Sequence, residues 1–174
     1  LDLLGHLYGA GSAAWRMQLR QIDRLVESVL DALPSDGLLV VVADHGMVNL
    51  DAADVIDIDT RTELLNGVVA VGGEVRARHV YVADGAADAV AATWKETLGD
   101  RAWIRTRDEA IAAGWFGARV SDAARSRIGD VVVAARGRAG LVRRTVEPLE
   151  SALVGQHGSW TPAEQLVPLL VAHA

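Results

Sequence analysis

The sequence predicts an α/β domain that carries a small α+β insertion, and three observations predict it. Between Ser12 and Leu33 the apolar residues Trp15, Leu19, Ile22, Leu25, Val26, Val29, Leu30 and Leu33 recur at spacings of three and four, the period of a helix with one buried face. Leu38-Leu-Val-Val-Val-Ala43 follows, continuously apolar and rich in β-branched residues, as a strand covered on both sides would be. The middle of the chain then turns to short, half-polar segments in quick succession, the texture of an α+β unit and not of more parallel sheet. These changes place the core in 1–65 and again in 129–174, with the insertion over 66–128.

Each element has a local cause. Ser12 supplies an N-cap hydroxyl for the long helix, and Pro34-Ser-Asp-Gly37 supplies its stop and a turn. Asp44 and His45 fall at the carboxyl end of the strand, where loops of an open α/β sheet diverge and leave a crevice. In the insertion, 67–71 and 78–82 read as strands joined by a Gly72-Gly-Glu74 turn, 86–98 as a helix, 103–106 as a strand and 107–113 as a short helix. Asp130 to Ala135 returns to the buried-strand pattern and is followed by a basic loop over 136–144. Thr161-Pro-Ala-Glu164 combines a capping hydroxyl, proline at the first helical position and glutamate at the third, so a short helix starts there. Leu166 to Val171, interrupted by Pro168, reads as a final strand or an edge segment.

Composition excludes several functions. The chain has 174 residues, 51% hydrophobic and 23% charged, enough for a sizeable core in an ordinary soluble sequence. Its formal net charge of -6, with scattered positive charges, excludes a nucleic acid polymer as an electrostatic partner and favours a small-molecule substrate. Without cysteine there is no disulfide framework and no thiolate metal site, which leaves His, Asp and Glu as ligands. The longest apolar run, 38–43, falls far short of the ~20 residues that cross a bilayer. The chain opens on Leu1-Asp2 with no initiator Met and no leader, so it reads as a sequence entered midway, with its N-terminal part elsewhere and its cellular location open.

Three short segments carry the chemistry: Asp2-Leu-Leu-Gly-His6, Ala43-Asp-His-Gly-Met47 and Gly155-Gln-His-Gly158. Asp2 and His6 face one point if their segment is helical, since residues four apart share a helix face. Asp44 and His45 leave the pleat together at a strand end; a turn closed by Asp44, with Gly46 giving backbone freedom, is the bland alternative. His157 lies between two glycines, as a loop histidine also would.

In this order, and with Leu7-Tyr-Gly9 after the first segment and Ser159-Trp-Thr-Pro-Ala-Glu164 and Val167-Pro-Leu169 after the third, the sequence resembles the alkaline phosphatase superfamily. Within it, the similarity is to the C-terminal part of the type I phosphodiesterase/nucleotide pyrophosphatase family. The resemblance implies an alkaline-phosphatase-like core sheet with flanking helices and two divalent metal ions, most consistent with zinc. One would be held by Asp2, His6 and His157, the other by Asp44 and His45 with a further Asp and the Ser or Thr nucleophile. Those last two belong upstream of Asp2 in the family. Ser12 and Thr161 suit helix caps, so no catalytic nucleophile is expected in this chain, and by itself it should be inactive. The parent protein is expected to hydrolyse a small phosphate ester or a nucleotide. A phosphonoacetate hydrolase, phosphomonoesterase or phosphoglycerate mutase-like enzyme shares the ligand set, and a non-catalytic domain that kept the fold is the rival of another class. Trp160, close to His157 in sequence, is the candidate substrate contact. His79 is expected at an exposed strand position, His173 has no expected role, and Arg136, Arg138, Arg143 and Arg144 are expected to form a solvated loop.

Overall fold

The computed structural model describes residues 1–173. Helix α1 (Asp2–Tyr8) ends at Gly9, and α2 (Ala13–Asp31) begins where the Ser12 hydroxyl accepts the Trp15 N–H at 3.2 Å. Strands β1 (Leu38–Val42) and β2 (Val48–Asn49) flank the Asp44-His45 segment. Then come β3 (Val55–Asp57), α3 (Thr62–Leu65), β4 (Val68–Glu74), β5 (Ala77–Val82), α4 (Ala87–Leu98), β6 (Ala102–Thr106) and α5 (Arg107–Ala112). The chain continues through α6 (Asp122–Arg125), β7 (Val131–Ala135), β8 (Gly140–Val142), α7 (Pro148–Ser151), β9 (Gly155–Gln156), α8 (Pro162–Gln165) and β10 (Leu169–His173).

Contacts gather these elements into two compact units, divided at Leu50 and Leu153. The first holds Leu1–Asn49, Leu153–His157 and the residues from Thr161 on; the second holds Leu50–Ala152 and Gly158–Trp160.

In the first unit β1 pairs antiparallel with β10, from Leu38 opposite His173 to Val42 opposite Leu169. The apolar run 38–43 predicts a strand covered on both faces, but β1 alternates exposed and half-buried residues, with Val42 61% exposed. Among the described residues the β1–β10 pair has no third strand beside it. Between α2 and this pair lies a groove of about 630 Å³, bordered by Leu19, Ile22 and Val26 on the helix and by Val41 and Leu170 on the strands. A second small ladder pairs Val48 with Gln156 and Asn49 with Gly155. Helix α8 is closed by the expected capping box between Thr161 and Glu164.

The second unit is built on an antiparallel sheet of order β4-β5-β7-β6. Val131 and Val133 of β7 join Val80, Ile104 and Trp94 in the main core, where the Trp94 indole donates to the Leu64 carbonyl at 3.0 Å. Val132 points to the other face and packs with Ala110 and Ile128, bordered by Trp115 and Phe116. Because β7 is apolar on both faces it takes the centre of this sheet, pairing with β5 and β6, and so belongs with the elements before it; it does not return to the β1 strand.

Three other expectations change. The β4–β5 hairpin turns at Val75-Arg76, not at Gly72-Gly-Glu74, which stays paired with β5. Its tip is buried because the Arg76 guanidinium donates to the Ala139 and Ala135 carbonyls. His79 is half-buried, not exposed: its ring packs on Phe116 and its Nδ1 accepts the Gly129 N–H at 3.0 Å. Within the basic loop, Arg143 is paired with Asp59 at 2.8 Å, and the Arg136 guanidinium lies 4.6 Å from the Trp103 ring centre. These contacts replace the solvation expected for those two arginines.

Candidate metal centre

Helix α1 delivers the first two polar groups. Asp2 and His6 are one turn apart on one face, with His6 Nε2 3.4 Å from Asp2 Oδ1. Between them in sequence lies Gly5, where a Cβ would lie 2.5 Å from the Met47 sulfur; glycine lets α1 pack directly on the residues after His45. The helix is further tied to β9, since Val154 donates its N–H to the His6 carbonyl at 2.8 Å and His6 Nδ1 lies 2.7 Å from the Gly155 carbonyl oxygen.

The turn after β1 delivers Asp44 and His45. His45 donates its N–H to Asp44 Oδ1 at 3.1 Å, and its Nδ1 is 2.8 Å from the Gly46 carbonyl oxygen. Gly46 is required here for close approach: its N–H donates to the Glu164 carbonyl at 2.8 Å, and a Cβ would sit 2.0 Å from the Ala163 carbonyl oxygen. Its φ lies outside the left-handed region, so the backbone freedom expected from a turn glycine is not the cause. Helix α8 thereby braces the turn that holds His45.

These segments converge on one carboxylate oxygen. Asp2 Oδ1 has the Nε2 atoms of His6, His157 and His45 at 3.4, 3.8 and 4.0 Å. Asp2, His6 and His157 are the one group of three metal-ligand side chains clustered within 4.8 Å among the described residues. Asp44 Oδ1 stands 3.9 Å from His45 Nε2 and its side chain is 90% exposed. A cleft of about 420 Å³, bordered by Asp2, Ala10, Trp15, Asp44 and His45, opens beside them.

The donor set fits a divalent metal. Two ligands ~2.0–2.1 Å from a tetrahedral zinc are ~3.3 Å apart, close to the 3.4 and 3.8 Å separations around Asp2 Oδ1. In His6 and His45 a carbonyl oxygen faces Nδ1, which fixes the proton there and leaves Nε2 with its lone pair toward the cluster. Trp160, the expected substrate contact, lies in the second unit, exposed and with its ring centre 5.9 Å from that of Trp115.

The mixed α/β fold carries this cluster of one carboxylate and three imidazoles, and comparison with known proteins supplies the family. Residues 1–160 match the model of the type I phosphodiesterase/nucleotide pyrophosphatase family, and the chain belongs to it. The fold is similar to that of murine ectonucleotide pyrophosphatase/phosphodiesterase 5, solved as an inactive variant in complex with AMP, with a TM-score of 0.77, 17% identity, and coverage of 99% of this chain and 44% of that one. It is also similar to phosphonoacetate hydrolase from Sinorhizobium meliloti 1021 in complex with phosphonoformate, with a TM-score of 0.69, 23% identity, and coverage of 98% and 43%. A segment of 49 residues is 41% identical to GPI ethanolamine phosphate transferase 3 of Schizosaccharomyces pombe, covering 28% of this chain and 5% of that protein. The chain thus spans less than half the length of the solved structures it matches.

Sequence reading missed Asn49, which touches the segments bearing the candidate ligands, and it did not see the close approach that Gly46 permits. Neither has a local signal, since both act through residues distant in the chain.

Proposed function

We propose that this chain is the metal-binding part of a phosphoric ester hydrolase that works with two divalent metal ions, zinc by ligand type. The observation that carries this reading is the convergence of the His6 and His157 Nε2 atoms on Asp2 Oδ1. Asp2, His6 and His157 hold the first metal, and Asp44 and His45 supply half of the second site. Two such metals, when bound, stabilise the attacking and departing oxygens of an in-line phosphoryl displacement. The protein's own contribution is orientation: the Gly155 and Gly46 carbonyls aim the His6 and His45 rings, and α8 holds the turn that carries His45.

A Ser or Thr nucleophile and a further Asp come from an upstream part of the same protein in this reading. The exposed apolar residues Val40, Val42, Leu169, Leu170 and Val171 support it, since the β1–β10 pair then continues into a larger sheet. This chain alone is therefore inactive, and the whole protein cleaves a small phosphate ester or nucleotide. A phosphonate is the second reading, favoured by the similarity to phosphonoacetate hydrolase.

Calorimetric titration with Zn(II) tests the site: one tight ion per chain, lost in His6→Ala, is expected, and an absence of binding by the unaltered chain refutes the reading. Diester, monoester and phosphonate substrates offered to the full-length protein then separate the activities, and turnover of any of them by the isolated chain, abolished by chelator, refutes its inactivity.

A further inference from the structure

Asn49 stands where the segments that bear the candidate ligands meet. Its backbone lies in β2, directly downstream of Asp44 and His45, and pairs with Gly155 of β9, two residues before His157. Its carboxamide reaches the loop that follows Asp2 and His6: Oδ1 accepts the Ala10 N–H at 2.7 Å, and Nδ2 donates to the Ala10 carbonyl at 2.9 Å. One side chain thus satisfies both peptide groups of a single residue, as a neighbouring strand would. Gly9, at a φ of 86°, brings the loop close enough for this; a Cβ there would sit 3.0 Å from Asn49 Oδ1.

We propose that Asn49 is a positioning residue for the metal site: it locks α1 to the β2–β9 ladder and so sets the distance between Asp2-His6 and His157. The chemistry requires a carboxamide. Aspartate lacks the donor for the Ala10 carbonyl, serine is too short for the two-point contact, and alanine leaves both peptide groups of Ala10 to water. Without the clamp α1 keeps its His6 and Val154 contacts to β9 but loses its tie to β2, and its two ligands sample positions too far from His157 to share an ion. The inference rests on the metal-binding reading above. It adds a residue that touches no metal and governs how tightly one is held.

Zn(II) titration and Co(II) visible absorption on the full chain test it, alongside melting of the metal-free protein. Asn49→Ala and Asn49→Ser are expected to weaken Zn(II) binding about 10- to 100-fold, the range typical of groups that orient metal ligands, and to change the Co(II) spectrum. Asn49→Asp, which keeps the acceptor for the Ala10 N–H, recovers part of the affinity. Asp59→Asn, in the second unit, lowers the melting temperature without moving Zn(II) affinity, which separates positioning from general loss of stability. If the unaltered chain binds Zn(II) and any folded Asn49 variant among Ala and Ser binds it within twofold with an unchanged Co(II) spectrum, the inference is overturned while the metal site stands. If the unaltered chain binds none, both fall.

Discussion

His45 and His157 stack face to face, with ring centres 3.5 Å apart and planes 14° apart. Their Nε2 atoms lie 4.0 and 3.8 Å from the same Asp2 oxygen. The stack couples a candidate ligand of one metal to a candidate ligand of the other, so neither ring can rotate without disturbing its neighbour.

Ligand removal should therefore show a graded loss. His6→Ala and His157→Ala each delete a donor of the three-ligand cluster and are expected to weaken Zn(II) binding by at least about 100-fold. His45→Ala removes only the stacking partner from that cluster and should cost about 10-fold, as an orienting group does. Calorimetry on the three variants reads the order directly. Equal losses for His45→Ala and His157→Ala would show that His45 is itself a ligand of the first ion.

Gly46 gives a prediction of a different kind. A Cβ at this position meets the Ala163 carbonyl oxygen at 2.0 Å, a backbone atom that cannot rotate away. Gly46→Ala must push α8 off the turn and break the N–H bond to the Glu164 carbonyl, at a cost of about 2–3 kcal/mol. Urea unfolding measures the loss. Because the same turn carries Asp44 and His45, Zn(II) binding should fall in the folded fraction as well.

The candidate ligands were legible in the sequence because each sits in a short glycine-containing motif, Asp2 and His6 one helical turn apart and Asp44, His45 and His157 beside glycines in loops or strand ends. Ser12 and the Thr161–Glu164 capping box were legible for the same reason, being fully specified by local chemistry. What escaped depends on distant pairing. An apolar run such as 38–42 or 131–135 announces that a strand has neighbours, yet the two runs met different fates: β7 acquired a neighbour on each edge, and β1, among the described residues, acquired β10 alone. Nothing in the sequence marks Arg76 and Arg78 as buried, yet carbonyls of the segment 135–141 accept from both, and Glu147 lies 2.8 Å from Arg78. Asn49 was silent because its partner, Ala10, carries no side-chain signal at all.

Asp59 anchors the end of β8 in the second unit. Burial raises the pKa of its carboxyl, but the Arg143 guanidinium at 2.8 Å and the Thr145 N–H at 3.0 Å outweigh it and hold the group below the usual carboxylate range. A depressed carboxylate stabilises the fold fully above its unfolded pKa of about 3.9 and loses that contribution as pH falls through the folded value. Asp59→Asn should thus cost about 2–3 kcal/mol near pH 7, where it leaves the largely buried Arg143 without its partner. The gap between the two proteins should close as urea unfolding is repeated below about pH 4. A gap independent of pH would show that the ion pair is not its source.

His79, in β5 of the four-stranded sheet, sets a second pH dependence. Burial among β5, β7 and the Phe116 ring lowers its pKa, and its Nδ1 accepts the Gly129 N–H, which a doubly protonated ring cannot do. For a base whose folded pKa is depressed, the folded and unfolded chains are both neutral above about pH 6.5, and stability is at its full value there. As pH drops below 6.5 the unfolded chain takes up a proton that the folded chain refuses, so stability declines until the folded ring protonates too and the bond to Gly129 is lost. His79→Asn offers an oxygen acceptor and no titrating group, and should flatten the stability profile between pH 5 and 7 while costing about 1–2 kcal/mol above it through lost packing. Chemical denaturation of both proteins across that range decides it, since parallel profiles would mean that some other group governs the decline.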